Sequence, residues 1–168
     1  MPRVRLAHFL LLLVAIAVGC GRSEPSTASL PLGSALPPLS AQGWINGPPP
    51  EPSDLRERAV VIVAWAYWCA PCLREMPQLV KIQQELSELP VQFIALTAVE
   101  EDALEETRLQ LVRHQVTWPN GYGAASALRQ LGISAIPALM VFDRQGRLTW
   151  QGDHAQDLPE AIQAAMAD

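Results

Sequence analysis

Trp68-Cys69-Ala70-Pro71-Cys72 stands where an apolar run of strand formers, Val60 to Ala66, gives way to a helical pattern. That junction constrains the fold of this 168-residue chain more than any other feature. With Cys69 as the cap residue, Ala70 and Pro71 open the helix and Cys72 follows one turn on, near enough for the two sulfurs to bond. Proline is tolerated there because first-turn amides have no helical partner. The unpaired amides and the positive end of the helix dipole favour a thiolate on Cys69, which makes it the attacking sulfur. Cys72 is then the resolving thiol, closing the intramolecular disulfide and releasing whatever Cys69 had joined.

Two other uses of such a pair have to be weighed. A CxxC supplies half of a zinc site, but four ligands are needed, and the chain has no second CxxC and no closely spaced histidine pair. An inert structural disulfide suits an exported domain, although so short a loop constrains the unfolded chain little.

The first residues have the form of an export segment. Arg3 and Arg5 give a basic start, Phe9 to Val18 is an unbroken apolar core, and Gly19-Cys20 closes it. The core falls short of the about 20 apolar residues that span a bilayer. Ala17-Val18-Gly19-Cys20 resembles a bacterial lipoprotein box, which makes residues 1–19 a signal peptide and Cys20 the lipidated first residue of the mature chain. Ala15-Ile16-Ala17 would serve an ordinary signal peptidase instead and leave Cys20 a free thiol. The lipoprotein reading is preferred because a loose third cysteine in an oxidising compartment competes with the CxxC. Alanine replaces the usual leucine three residues before the cysteine. Residues 20–40 then read as lipid anchor and flexible tether, rich in Ser, Pro, Ala and Gly and reaching roughly 25 Å.

What remains, residues 41–168, is enough for one compact domain. Loss of residues 1–19 moves the formal charge from -5 to -7, 10 basic against 17 acidic residues, which argues against a nucleic-acid partner. Val60 to Ala66 is apolar on both faces and suits a central strand covered by helices on each side. Leu73, Met76, Leu79, Val80 and Leu86 recur at helical spacing after Cys72, with Pro77 expected to kink that helix. A strand is expected at Val91 to Thr97. A helix follows from Asp102 to His114, with Leu104, Leu111 and Val112 inward. Gly121 and Gly123 read as a break before a helical stretch from Ala124 to Leu131. Ala138 to Phe142 and Arg147 to Gln151 flank Asp143-Arg144-Gln145-Gly146 as a hairpin, with Leu148 and Trp150 inward, and a last helix runs from Asp157 to Met166. Strand, helix, strand, helix, strand, strand, helix implies a mixed α/β sheet with helices on both faces.

Taken together, these residues resemble the thioredoxin superfamily, and within it the membrane-tethered TlpA/ResA-like thiol-disulfide oxidoreductases. The resemblance covers about Gly43 to Ala167. It rests on Gly43-Trp44-Ile45-Asn46-Gly47, Ser53-Asp54-Leu55, Trp65 and Trp68, the CAPC box, Glu75-Met76-Pro77, and Ile136-Pro137. It implies a thioredoxin-like three-layer sandwich. It implies a cis peptide bond before Pro137, facing the dithiol, and a substrate groove rimmed by Trp68 and Ile136. It implies that Glu75, one turn beyond Cys72, exchanges a proton with the resolving sulfur. Val63 stands where thioredoxin has a buried aspartate, and Ala138 replaces a common threonine. Trp65 reads as core, while His114 and His154 read as isolated.

For function, the resemblance implies an exported, lipid-anchored oxidoreductase whose only redox group is its disulfide, with neither cofactor nor metal. It is expected in a bacterial cell envelope, facing the periplasm and acting as a reductant. A membrane thiol-transferring donor would recharge it, and its substrates would be protein disulfides, including those of apocytochromes c. A periplasmic thiol oxidant on the same scaffold is the nearest alternative, since such potentials span about -270 to -120 mV. A copper metallochaperone using both thiols and a histidine is an alternative of another class, disfavoured by the CxxC spacing.

Overall fold

The computed structural model describes residues 30–167. Cys20, the export segment and the first part of the expected tether lie outside the described residues.

The centre of the fold is β2 (Ala59–Ala64), all six residues of which are buried. It pairs in parallel with β3 (Val91–Leu96) and antiparallel with β5 (Ala138–Phe142), so it is covered along both edges as well as on both faces. With β1 (Gly43–Ile45), β4 (Asn120–Tyr122) and β6 (Leu148–Gly152), the sheet has six strands in the order β1-β4-β3-β2-β5-β6. Alternation along β2 divides the core in two, as a pleated strand must. Val61 and Val63 face α1 (Ala70–Glu85) and α4 (Leu158–Ala167) through Met76, Leu79 and Ile162, and Leu111 of α2 (Leu104–Arg113) joins that cluster. Val60, Ile62 and Ala64 face Ala127 and Leu128 of α3 (Ala125–Gln130). The result is the three-layer α/β sandwich that the apolar run of β2 implied. α1 runs on through Pro77 as one helix.

Four expectations need correction. Gly121 does not break the chain: it is the middle of β4, inserted between β1 and β3. A Cβ there would stand 2.9 Å from that of Ala41 and 3.1 Å from Leu96, so glycine permits close packing, and the turn falls to Gly123 at φ +61°. Val112 is 76% exposed, not inward. Leu104, Thr107 and Leu111 take the inner stripe at helical spacing, and Val112 lies about 100° round from Leu111.

Leu148 and Trp150 do not share a face. Phe142 pairs with Leu148 while Val141 pairs with Trp150, leaving Thr149 as the extra residue of a bulge, its hydroxyl donating to the Val141 carbonyl at 3.1 Å. Leu148 therefore packs on the α3 side and Trp150 on the α1/α4 side. Finally, Leu30 to Ser40 is part of the domain and not tether. Ala35 bridges to Arg147, the Gly33 amide donates to Leu148 at 2.7 Å, and Leu30, Leu36 and Leu39 pack on the α3-side core. The segment satisfies amides and carbonyls that β6, as an edge strand, would otherwise leave open.

Candidate active site

Cys69 caps α1 as its spacing required. It has extended backbone angles, φ -80° and ψ 92°, and its Sγ accepts the Cys72 amide at 3.2 Å, while its carbonyl accepts from Leu73 at 3.0 Å. Cys69 and Cys72 are joined in a disulfide with S–S 2.02 Å and Cα–Cα 5.3 Å. Both are buried, at 4% and 2% exposed, between an exposed Trp68 on one side and exposed Ala70 and Pro71 on the other. An attacking sulfur at this cap has a backbone donor already aimed at it, which is the local field that favours thiolate over thiol.

Strand register brings the second part of the site into place. Ala64, the last residue of β2, pairs with Ala138, the first of β5, so Ile136-Pro137 arrives beside the segment that leads from Ala64 to Cys69. The Ile136–Pro137 peptide is cis, as the resemblance implied. Ile136 is half-buried and packs against both core clusters, while Trp68 is 65% exposed. These two side chains line two adjoining concavities together with Ala98 and Leu128. Trp68, the residue before Cys69, and Ile136, the residue before the cis proline, thus line the same concavities.

Behind it, Trp65 is core, and its indole N–H donates to Asn120 Oδ1 at 3.2 Å. Asn120 in turn donates through Nδ2 to the Trp118 carbonyl at 2.7 Å. This buried polar link ties β4 to the strand end that carries the site, and it had no signal in the sequence, where Asn120 stood beside a presumed glycine break. Val63 is buried among apolar neighbours, so no carboxylate lies at that position.

Glu75 departs from expectation. Its Oε2 accepts the Ala155 amide at 2.8 Å and its Oε1 lies 3.9 Å from His154 Nδ1. In the disulfide form the carboxylate is thus committed to the corner that follows β6, where it meets the first amide of a 3-10 turn, Ala155–Asp157, that His154 does not cap. His154, read as isolated, is part of that corner, with Nε2 also 3.6 Å from Asp153 Oδ1. Three residues of spacing put Glu75 on the correct helix face but did not disclose the competing amide.

A disulfide capping a helix, beside a cis proline and at the end of a central strand in a mixed sheet, defines a thioredoxin-like protein. The chain belongs to the Redoxin family, whose sequence profile matches residues 32–165. It is 28% identical over 138 residues to protein FixW of Rhizobium leguminosarum, covering 75% of this chain and 62% of that one. It is 25% identical over 108 residues to the thiol-disulfide oxidoreductase ResA of Bacillus anthracis, covering 64% and 61% respectively. The chain thus spans about three fifths of the length of these relatives. Among solved structures, a thiol-disulfide isomerase from Corynebacterium glutamicum superposes with a TM-score of 0.72 at 21% identity, over 81% of this chain and 97% of that one, which establishes the shared fold.

Proposed function

We propose that this protein is a thiol-disulfide oxidoreductase that exchanges its Cys69–Cys72 disulfide with thiols of other proteins, working as a reductant outside the cytoplasm. The observation that carries the reading is the Cys72 amide directed at Cys69 Sγ beside the Trp68, Ile136 and Pro137 rim. In the reduced protein the Cys69 thiolate attacks a substrate disulfide, forms a mixed disulfide and expels the substrate's other sulfur as a thiolate. The Cys72 thiolate then attacks Cys69 Sγ, closing the bond seen here and releasing the substrate fully reduced. Two electrons pass to the substrate.

Similarity to a thiol-disulfide oxidoreductase supports disulfide-bonded proteins as substrates, and the TlpA/ResA-like resemblance implies apocytochromes c among them, with a membrane thiol-transferring donor to restore the dithiol. The basic and apolar start of the chain supports export, and the Gly19-Cys20 step supports lipidation of Cys20 and a place on the periplasmic side of a bacterial envelope. The deciding experiment pairs the reduction potential of the Cys69/Cys72 couple with a Cys72→Ala trap in cells. A potential near thioredoxin's, about -270 mV, with Cys69 adducts on exported proteins, is expected. A potential near -120 mV would make the protein an oxidant instead. Adducts on Cys20 would show that it is a free thiol and not a lipidated one.

A further inference from the structure

The two concavities at the dithiol do not end at the family rim. They share Trp68, Ala98, Leu128 and Ile136, so they form one continuous, mainly apolar surface that begins at Trp68, the residue before Cys69, and extends over α3. The concavity over α3 takes in Arg129, the only charged residue among those lining the two, whose exposed side chain has no hydrogen-bond or ion-pair partner among the described residues. The opposite side of the dithiol holds the acids Glu75 and Asp153, with His154 already between them.

We propose that this surface selects the substrate segment it receives: an extended strand with a bulky apolar side chain next to the target cysteine and a carboxylate a few residues away, seated against Arg129. The inference rests on the oxidoreductase reading and deepens it. An apolar surface that begins one residue from Cys69 accepts the neighbour of the attacked cysteine. Extended chain advances about 3.3 Å per residue, so a few residues suffice to carry a side chain from the cysteine to the neighbouring concavity. A cation at the rim of an apolar patch steers and orients an anionic partner more than it tightens the complex. Arg129 also lies in the last turn of α3, where a cation opposes the helix dipole. That role alone would show in stability and not in peptide selectivity.

The test uses reduced protein carrying Cys72→Ala and symmetric disulfide dimers of short peptides. Cys69 attacks one peptide sulfur, and the other peptide leaves as its thiolate, so the leaving group matches the captured one and the direction of physiological electron flow is immaterial. Leucine is placed beside the cysteine and Asp or Lys second, third or fourth from it, in both chain directions, with mixed-disulfide formation followed by intact mass. In at least one direction, the Asp peptide should react about fivefold faster than the Lys peptide at low ionic strength. The gap should narrow in high salt and invert in Arg129→Glu. Replacing leucine with serine should slow capture about tenfold. Equal rates for Asp and Lys, or a preference untouched by Arg129→Glu, would overturn the proposal. Bis(2-hydroxyethyl) disulfide, small and uncharged, should react equally with both proteins. Reaction with that probe but not with peptides overturns only this inference, whereas reaction with neither removes the oxidoreductase reading beneath it.

Discussion

The two sides of the dithiol are built on opposite terms. Toward α3 the surface is carbon left open: Trp68 is exposed, Ile136 half-buried, and the cavities beside them have no charged lining except Arg129. Toward α1 and α4 the polar groups are satisfied within the molecule, Glu75 by the Ala155 amide and by His154. A side that closes its own hydrogen bonds contributes to stability, and one that leaves apolar area in water holds binding energy in reserve. The lesson is that the residue with the more chemical character, Glu75, is engaged structurally in the disulfide form, while the residue that looks like packing, Trp68, is available to a partner.

Variants separate the sides by which quantity moves. Cys69→Ser, which belongs to neither, sets the scale: disulfide exchange should fall by roughly a thousandfold or more in a turnover assay, because the attacking sulfur is gone. Trp68→Ala should slow reaction with protein disulfides about tenfold, as interface tryptophans commonly do. Its unfolding free energy in urea should stay within about 0.5 kcal/mol of the parent, since the side chain is 65% exposed. A large stability loss there would break the comparison.

Glu75→Ala should show the reverse. It leaves the Ala155 amide without its acceptor, at about 1 to 2 kcal/mol of stability, while the rate of Cys69 attack on a small disulfide stays near that of the parent. If turnover instead collapses in a pH-dependent way and stability holds, the carboxylate leaves the corner for the resolving sulfur during the cycle. His154→Gln should cost about 0.5 kcal/mol or less, because the pair at 3.9 Å is substantially exposed.

Much of this contrast was legible in the chain, and unevenly so. The apolar run of Val60 to Ala66 and the CAPC box specify a buried strand feeding a helix cap, because both are local patterns with one good physical solution. Ile136-Pro137 followed from resemblance, since sequence alone makes a cis bond the exception. What stayed hidden were consequences of tertiary pairing. Asn120 becomes a partner of Trp65 only once β4 is inserted beside β3. Glu75 meets Ala155 across 80 residues of chain. Leu30, Leu36 and Leu39 have no period because they lie along an edge as a strap, and period is the signal of regular elements. Thr149 turns Leu148 and Trp150 to opposite faces through a bulge that alternation cannot foresee.

The smallest expected effect comes from a group that belongs to neither side of the dithiol. Burial, and secondarily the neighbouring Arg113, lower the pKa of His114 at the end of α2 below its ordinary 6.5. Above 6.5 the imidazole is neutral in the folded and unfolded chains alike, and its contribution is constant. As pH falls through 6.5 toward the lowered folded value, the unfolded chain binds the proton first, so stability declines through that window. Urea unfolding at pH 7.5 and 5.0 should therefore show a smaller acid loss for His114→Gln than for the parent. An equal acid loss in the two proteins would show that the His114 imidazole does not set that slope.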